Sequence, residues 1–209
     1  MLNGNKPSST GSEIIEIERA PVSLQANSTR KREFKEYVAS LLTESKYLLS
    51  GDVQIHIDWY IHEQKRYETS TSADIDNIIK PLLDAFCGPK GIMIDDNQVQ
   101  SVTCNWIDYH DTEKERLVVT VKYIPDDIVI KEGLFFVDVG DNLYMPLFDY
   151  LTPEIKKLML SMYEKMVDAR NQMMEAGLDY YSTKGIMSVQ RVFHKGRLEG
   201  FVLKSKEEL

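Results

Sequence analysis

The chain has 209 residues, of which 43% are hydrophobic and 28% charged, and a formal net charge of −8. This composition excludes wholesale disorder and allows one substantial domain, or a domain with an appendage. No apolar run approaches the roughly 20 residues of a membrane span, and the polar opening MLNGNKPSSTGSE lacks the apolar stretch of a secretory signal. Neither the first 124 residues nor the remainder carries a basic excess, so bulk charge cannot hold a nucleic acid; a polyanion must be met by local patches or by metal ions.

Residues 1–12 read as a short flexible tail. EIIEIE (13–18) alternates as a first strand, and RAPVSLQANS follows as a loop. Residues 28–49 carry Phe34, Tyr37, Val38, Leu41, Leu42, Leu48 and Leu49 at helical spacing, with Ser28 or Thr29 as the N-cap and Gly51 as the stop. In DVQIHIDWYI (52–61), Val53, Ile55, Ile57, Trp59 and Ile61 share one face of a half-buried strand. Residues 62–72 are polar and loop-like. Ile75, Ile78, Ile79, Leu82, Leu83 and Phe86 then mark an amphipathic helix that Gly88 ends. Residues 98–108 and 116–124 are strands joined by a charged turn. The first unit, 13–124, thus reads β-α-β-α-β-β, an α+β architecture.

IPDDI (124–128) reads as a boundary, and 125–209 as a C-terminal α+β extension. The extension opens with the apolar segment GLFFVDVG. A long helix follows, with Thr152 as its cap, Pro153 in the first position and Gly177 at its end. Its stripe of Ile155, Leu158, Met159, Met162, Met166, Ala169 and Met173 is expected to pack, since methionines fill irregular gaps. GIMSVQRVF and RLEGFVLK flank HKG as a predicted hairpin. Cys87 and Cys104 lie in no CxxC, and no histidine stands at zinc-finger spacing, so two buried free thiols in a reducing cytoplasm are expected.

The unusual feature is acidic. Asp74, Asp76 and Asp84, then Asp95 and Asp96, sit among residues that look like core. A helix N-terminus stabilises carboxylates, which accounts for one of them as an N-cap. Asp76, Lys80 and Asp84 stand at i, i+4 and i+8 and share a helix face. Pro81 removes the N–H that would bond the Asn77 carbonyl, so a late start or a bend is expected there. GPKGIMI can return Asp95 and Asp96 to the helix start. Converging carboxylates repel unless a cation offsets them, and oxygen-only ligands favour Mg²⁺ or Mn²⁺ over zinc. Such sites activate water in phosphodiester hydrolysis, and the bound cations reverse the local sign of an acidic protein. A DxD pair alone is a weak signal. D-x-D-N-x-x-K-x-x-x-D-A, a Gly-containing loop and I-D-D-x-Q-V together are far more specific.

DIDNIIKPLLDAFCGPKGIMIDDNQV resembles the signature of the RusA family of Holliday junction resolvases, and APVSLQAN (20–27) resembles the loop after that family's first strand. The resemblance covers residues 13–124. It implies an α+β fold, a homodimer, and Mg²⁺-dependent paired nicking of branched DNA at four-way junctions. By motif position it implies Asp74, Asp76, Asp96 and Lys80 as catalytic, the same three aspartates with Asp95 at the metal, and Asp84 as a partner to Lys80. The family often carries a basic run before the first motif aspartate; here only Lys65 and Arg66 stand there. The extension has no counterpart in compact family members.

Arg30, Lys31, Arg32 and Lys35 oppose the dipole at their helix start, which suggests phosphate contact rather than a solvated end. Arg191, His194, Lys195 and Arg197 fit a solvated hairpin tip better than a second DNA contact. His56 and His62 read as surface or secondary contacts, His110 as exposed, and Trp59 and Trp106 as core or interface. Two rival readings stay open. One is a nuclease-derived binding protein whose extension recruits a protein partner. The other is a nuclease for flaps or forks.

Overall fold

The computed structural model describes residues 6–70, 72–111, 114–186 and 192–209, and the chain divides into two units, 1–128 and 129–209. Unit 1 runs β1 (Ser12–Ile17), α1 (Ser28–Leu41), β2 (Tyr47–Leu49), β3 (Val53–Ile61), α2 (Glu63–Glu68), α3 (Ile75–Phe86), a 3-10 turn (Asp96–Gln98), β4 (Val99–Asp108) and β5 (Arg116–Tyr123). Four strands form one mixed sheet in the order β1-β5-β3-β4, with β3 parallel to β4 and antiparallel to β5. The fold is α+β, as the pattern predicts. The alternating set of β3 is buried without exception, and α1 and α3 supply Phe34, Val38, Ile78, Leu82 and Phe86 to the core.

Several local expectations are corrected. The helix predicted over 28–49 ends at Leu41; Tyr47, Leu48 and Leu49 form β2 and are all fully buried. Three consecutive buried positions suit a strand covered on both faces, not an amphipathic helix. Its N-cap is Asn27, whose side chain accepts the Arg30 N–H at 2.9 Å, rather than Ser28 or Thr29. The loop predicted over 62–72 contains α2, capped by His62 Nδ1, which accepts the Gln64 N–H at 3.1 Å. β4 and β5, consecutive in the chain, are separated in the sheet by β3.

Residues 1–5 of the predicted tail lie outside the described residues, but Ser8–Ser12 is tied down. Gly11 adopts φ +66° and its carbonyl accepts the Tyr123 N–H, while Glu13 accepts the Ser8 N–H. Buried Glu13 also accepts the hydroxyls of Tyr47 at 3.1 Å and Tyr123 at 3.0 Å. Burial first, and the Glu13 charge second, hold the Tyr47 hydroxyl well above the phenol range and push Tyr123 up to about 12.

Strand β6 (Ile128–Ile130) lies at the division. Unit 2 then carries β7 (Leu134–Gly140), β8 (Leu143–Phe148), α4 (Pro153–Glu175), α5 (Tyr180–Thr183), β9 (Phe193–His194) and β10 (Leu203–Lys204). β7 and β8 form a hairpin that the sequence reading missed. Its turn residues Asp141 and Asn142 both have positive φ, a conformation Asp and Asn tolerate. The sheet order is β10-β7-β8-β9, so among the described residues the strands on either side of HKG do not pair as the predicted hairpin. β9 pairs antiparallel with β8, and β10 pairs parallel with β7 at the other edge. Much of that prediction's first arm, with Arg191, lies outside the described residues.

α4 has the predicted boundaries; Thr152 caps it and Gly177 follows it at φ +99°. The predicted packing stripe holds only at Met159, which packs against the core, and at half-buried Ala169. Leu160 and Val167 are the buried positions, packed on Phe135, Val137, Val139, Met145 and Leu147. Ile155, Leu158, Met162, Met166 and Met173 point outward, Leu158 at 62% exposure. A 3.6-residue period names an apolar sector but not which sector meets the sheet. No helix among the described residues is long and apolar enough to cross a membrane.

Candidate active site

The site is built on the first two turns of α3 and the turn that precedes β4. Helix α3 does not start late: it begins at Ile75 and runs through Pro81 to Phe86. The Asn77 carbonyl, deprived of its helical donor by Pro81, accepts the Leu24 N–H at 2.7 Å. The loop before α1 therefore supplies the missing hydrogen bond and is anchored at the start of α3 by doing so. This is a physical reason for APVSLQAN and the aspartate motif to occur in one chain.

Asp74 occupies the N-cap position of α3, yet its side chain makes no capping hydrogen bond. Capping by a side-chain hydrogen bond therefore does not explain this residue. Asp74 and Asp76, both exposed, form no ion pair with a described residue. Lys80 turns the other way along the helix. Its ammonium donates to Asp84 Oδ1 at 2.7 Å and to Asp96 Oδ2 at 2.5 Å. The Asp84 bond, then the Asp96 bond, hold the Lys80 ammonium above its ordinary range, so it stays charged.

Asp96 is delivered by the loop 87–95. Gly88 turns the chain at φ +93°, and a Cβ on Gly91 would stand 2.1 Å from the Phe86 carbonyl oxygen, so only glycine fits there. Ile92, Met93 and Ile94 are then buried beside β2, with the Leu49 N–H bonded to the Ile92 carbonyl at 2.7 Å. Gln98 fixes the end of this loop. Its Oε1 accepts from the Ile94 and Asp95 N–H groups at 2.7 and 3.0 Å, and its Nε2 donates to the Leu49 and Gly51 carbonyls at 2.9 and 2.8 Å. One buried amide thus satisfies four backbone groups and sets where Asp95 and Asp96 stand. Sequence reasoning quoted this glutamine within the motif without giving it a role; a buried amide beside paired acids was the available signal.

The model of the family Endodeoxyribonuclease RusA matches residues 18–122. The chain belongs to the RusA family. No curated protein matches it.

The RusA-family acids are thus treated unequally by the fold. Asp95 Oδ1 accepts the Asn97 N–H at 3.0 Å in a capping box, so that oxygen has a structural duty. Asp96 faces Lys80. Lys80, Asp84 and Asp96 are brought together, with Asp95 and Lys35 close enough to act electrostatically on Cys87 at the end of α3. Burial, then the charges of Asp96 and Asp95, push the Cys87 thiol up to about 12; burial pushes Cys104 up to about 11. Both thiols are free and half-buried rather than fully buried.

Among the described residues, no group of three or more carboxylate, histidine or cysteine side chains is gathered closely enough to hold a metal ion. The donor chemistry nevertheless fits a hard divalent cation. The donors are carboxylate oxygens, two of the acids have no described cationic partner, and a third is already satisfied by an ammonium. Mg²⁺ keeps several waters and takes one or two carboxylates rather than a closed protein cage.

Of the predicted phosphate contacts, Arg30, Lys31, Arg32 and Lys35 lie along the start of α1, and Arg32 makes only a 4.0 Å exposed pair with Glu36. Lys65 and Arg66 sit on α2 and are engaged. Lys65 pairs with Glu115, and the Arg66 guanidinium lies over the Trp106 ring at 4.2 Å. Trp59 is core, with Nε1–H donating to Glu115 at 2.8 Å, and it packs on Trp106 at 4.8 Å between ring centroids. His56 bonds Asp58 and Asn105 on the sheet.

Proposed function

We propose that the protein is a divalent-metal-dependent endodeoxyribonuclease that nicks branched DNA in pairs at four-way junctions, acting as a homodimer with one site per strand. The observation that carries this reading is Asp74: it stands at a helix N-cap without capping, six residues before the lysine of the Lys80–Asp96 pair, in a chain of the RusA family. Asp74, Asp76 and Asp96, with Asp95 beside them, would hold Mg²⁺ or Mn²⁺. The ion supplies the Lewis-acid charge that phosphodiester hydrolysis needs. Lys80 presents a permanent positive charge to a phosphate oxygen. Lys35 and the basic start of α1 take up the DNA backbone, which positions a duplex without reading its sequence. Lys65 and Arg66 contribute less, because Glu115 and Trp106 already occupy them.

Asp76→Asn is expected to bind a synthetic four-way junction as the parental protein does and to lose Mg²⁺-dependent nicking by at least about a hundredfold. Cutting at the parental rate in a gel assay removes Asp76 from the site. Junction, fork and linear duplex run side by side separate this substrate from flaps and forks. A second reading draws on one observation: the acids are not gathered as they stand. In that reading the nuclease fold serves binding alone, and calorimetric titration with Mn²⁺ showing no binding would establish it.

A further inference from the structure

Lys80 has an aspartate one turn away on each side, Asp76 toward the helix start and Asp84 toward its end. Helical side chains lean toward the N-terminus, and an acid placed four residues before a lysine is the better pairing. By local rules Lys80 should therefore turn to Asp76. It turns instead to Asp84 at 2.7 Å, and the same ammonium reaches Asp96, sixteen residues on, at 2.5 Å. The preference is reversed by a contact across the fold, from the loop that Gln98 pins. Two consequences follow. Asp76 keeps its carboxylate clear of Lys80, and the ammonium stands against an acid needed for the metal.

We propose that Asp84 is a positioning residue that holds the Lys80 ammonium away from Asp76 and retains it when Asp96 turns to the metal. This rests on the metal-dependent reading above. Without Asp84, Lys80 has Asp96 as its partner and competes with the cation for that carboxylate. With Asp84, the ammonium keeps a bond in both states, so releasing Asp96 costs less. Asp84 touches neither metal nor DNA in this scheme and acts through Lys80 alone.

The test is a double-mutant cycle read by calorimetry of the full chain with Mn²⁺, which separates what Asp84 does through Lys80 from its through-space attraction on the ion. Lys80→Met is expected to tighten Mn²⁺ about threefold to tenfold by removing the competing ammonium. Asp84→Asn is expected to weaken it about threefold to fivefold, the range of an exposed ion pair. In the Lys80→Met background the Asp84→Asn change is expected to weaken Mn²⁺ clearly less than in the parental background, since only the through-space attraction remains, and Asp84→Glu restores most of the parental affinity when Lys80 is present. With Mn²⁺ saturating, Asp84→Asn should also slow nicking while junction affinity stays parental.

Equal weakening by Asp84→Asn in both backgrounds makes Asp84 a ligand or a plain source of charge and overturns the proposal. No change in either background overturns it as well. Parental protein that binds no Mn²⁺ overturns the functional reading and this proposal together, which is distinct from binding without coupling. Unchanged melting temperatures for the variants exclude misfolding as the cause.

Discussion

Helices α3 and α4 read alike in sequence and are used in opposite ways. Each is amphipathic, each has an oxygen-bearing residue at its N-cap, and each contains a proline. In α4 the cap side chain accepts a backbone N–H, the proline sits in the first turn where its missing donor costs nothing, and the most regular apolar stripe faces outward. In α3 the cap side chain is left out of the helix, the proline sits mid-helix, and the apolar positions are buried. A helix built only for the fold satisfies its own ends. Helix α3 leaves an acid at its N-cap without a capping bond, and a loop, through Leu24, supplies the hydrogen bond the proline removed.

The largest effect should come from the buried face of α3. Leu82→Ala is expected to cost about 2–5 kcal/mol in a denaturant titration, through lost burial and the cavity left behind. A cost under about 1 kcal/mol would mean that α3 is as loosely held as the outer face of α4. Next in size is alkaline loss of stability. Tyr123 is raised from 10.0 to about 12 in the folded protein, so the fold holds its proton more tightly than the unfolded chain does. Its contribution is complete below pH 10.0 and is lost as pH rises through about 12. Glu13→Gln should move the phenolate absorbance step to lower pH but keep it above 10.0, because burial is the larger cause. A step at the ordinary phenol value would place the tyrosine in solvent.

The two caps separate the helices more finely. Thr152→Ala should cost about 1 kcal/mol, whereas Asp74→Ala should change stability by less than about 0.5 kcal/mol while removing activity. Equal costs in thermal melts would make Asp74 an ordinary cap. The smallest effect belongs to the outward stripe of α4: Met162, 52% exposed, replaced by serine should shift stability by no more than about 0.5 kcal/mol.

Strand β3 was legible because its period-two alternation is local and strong, and α3 because Ile78, Leu82 and Phe86 recur at helical spacing. What the pattern misplaced were elements that derive their state from distant partners. Tyr47–Leu49 looked like the end of a helix because three apolar residues suit either period; complete burial beside the returning loop makes them a strand. The hairpin around HKG is sound by turn chemistry, but the described parts of its arms, β9 and β10, find partners on opposite edges of a sheet built on the β7–β8 hairpin.

For the site, the sequence by itself determined the acids, their spacing, the lysine between them and the glycines that let the chain return, because each depends on residue type and short-range geometry. Only the tertiary structure decided that Asp74 does not cap, that Asp95 does, that Lys80 takes Asp84 and Asp96 over Asp76, and that Gln98 fixes the loop by bonding residues nearly fifty positions away. Local propensities leave several partners nearly equal in energy. Packing of elements far apart in the chain selects among them, since it alone sets which groups lie within hydrogen-bond reach.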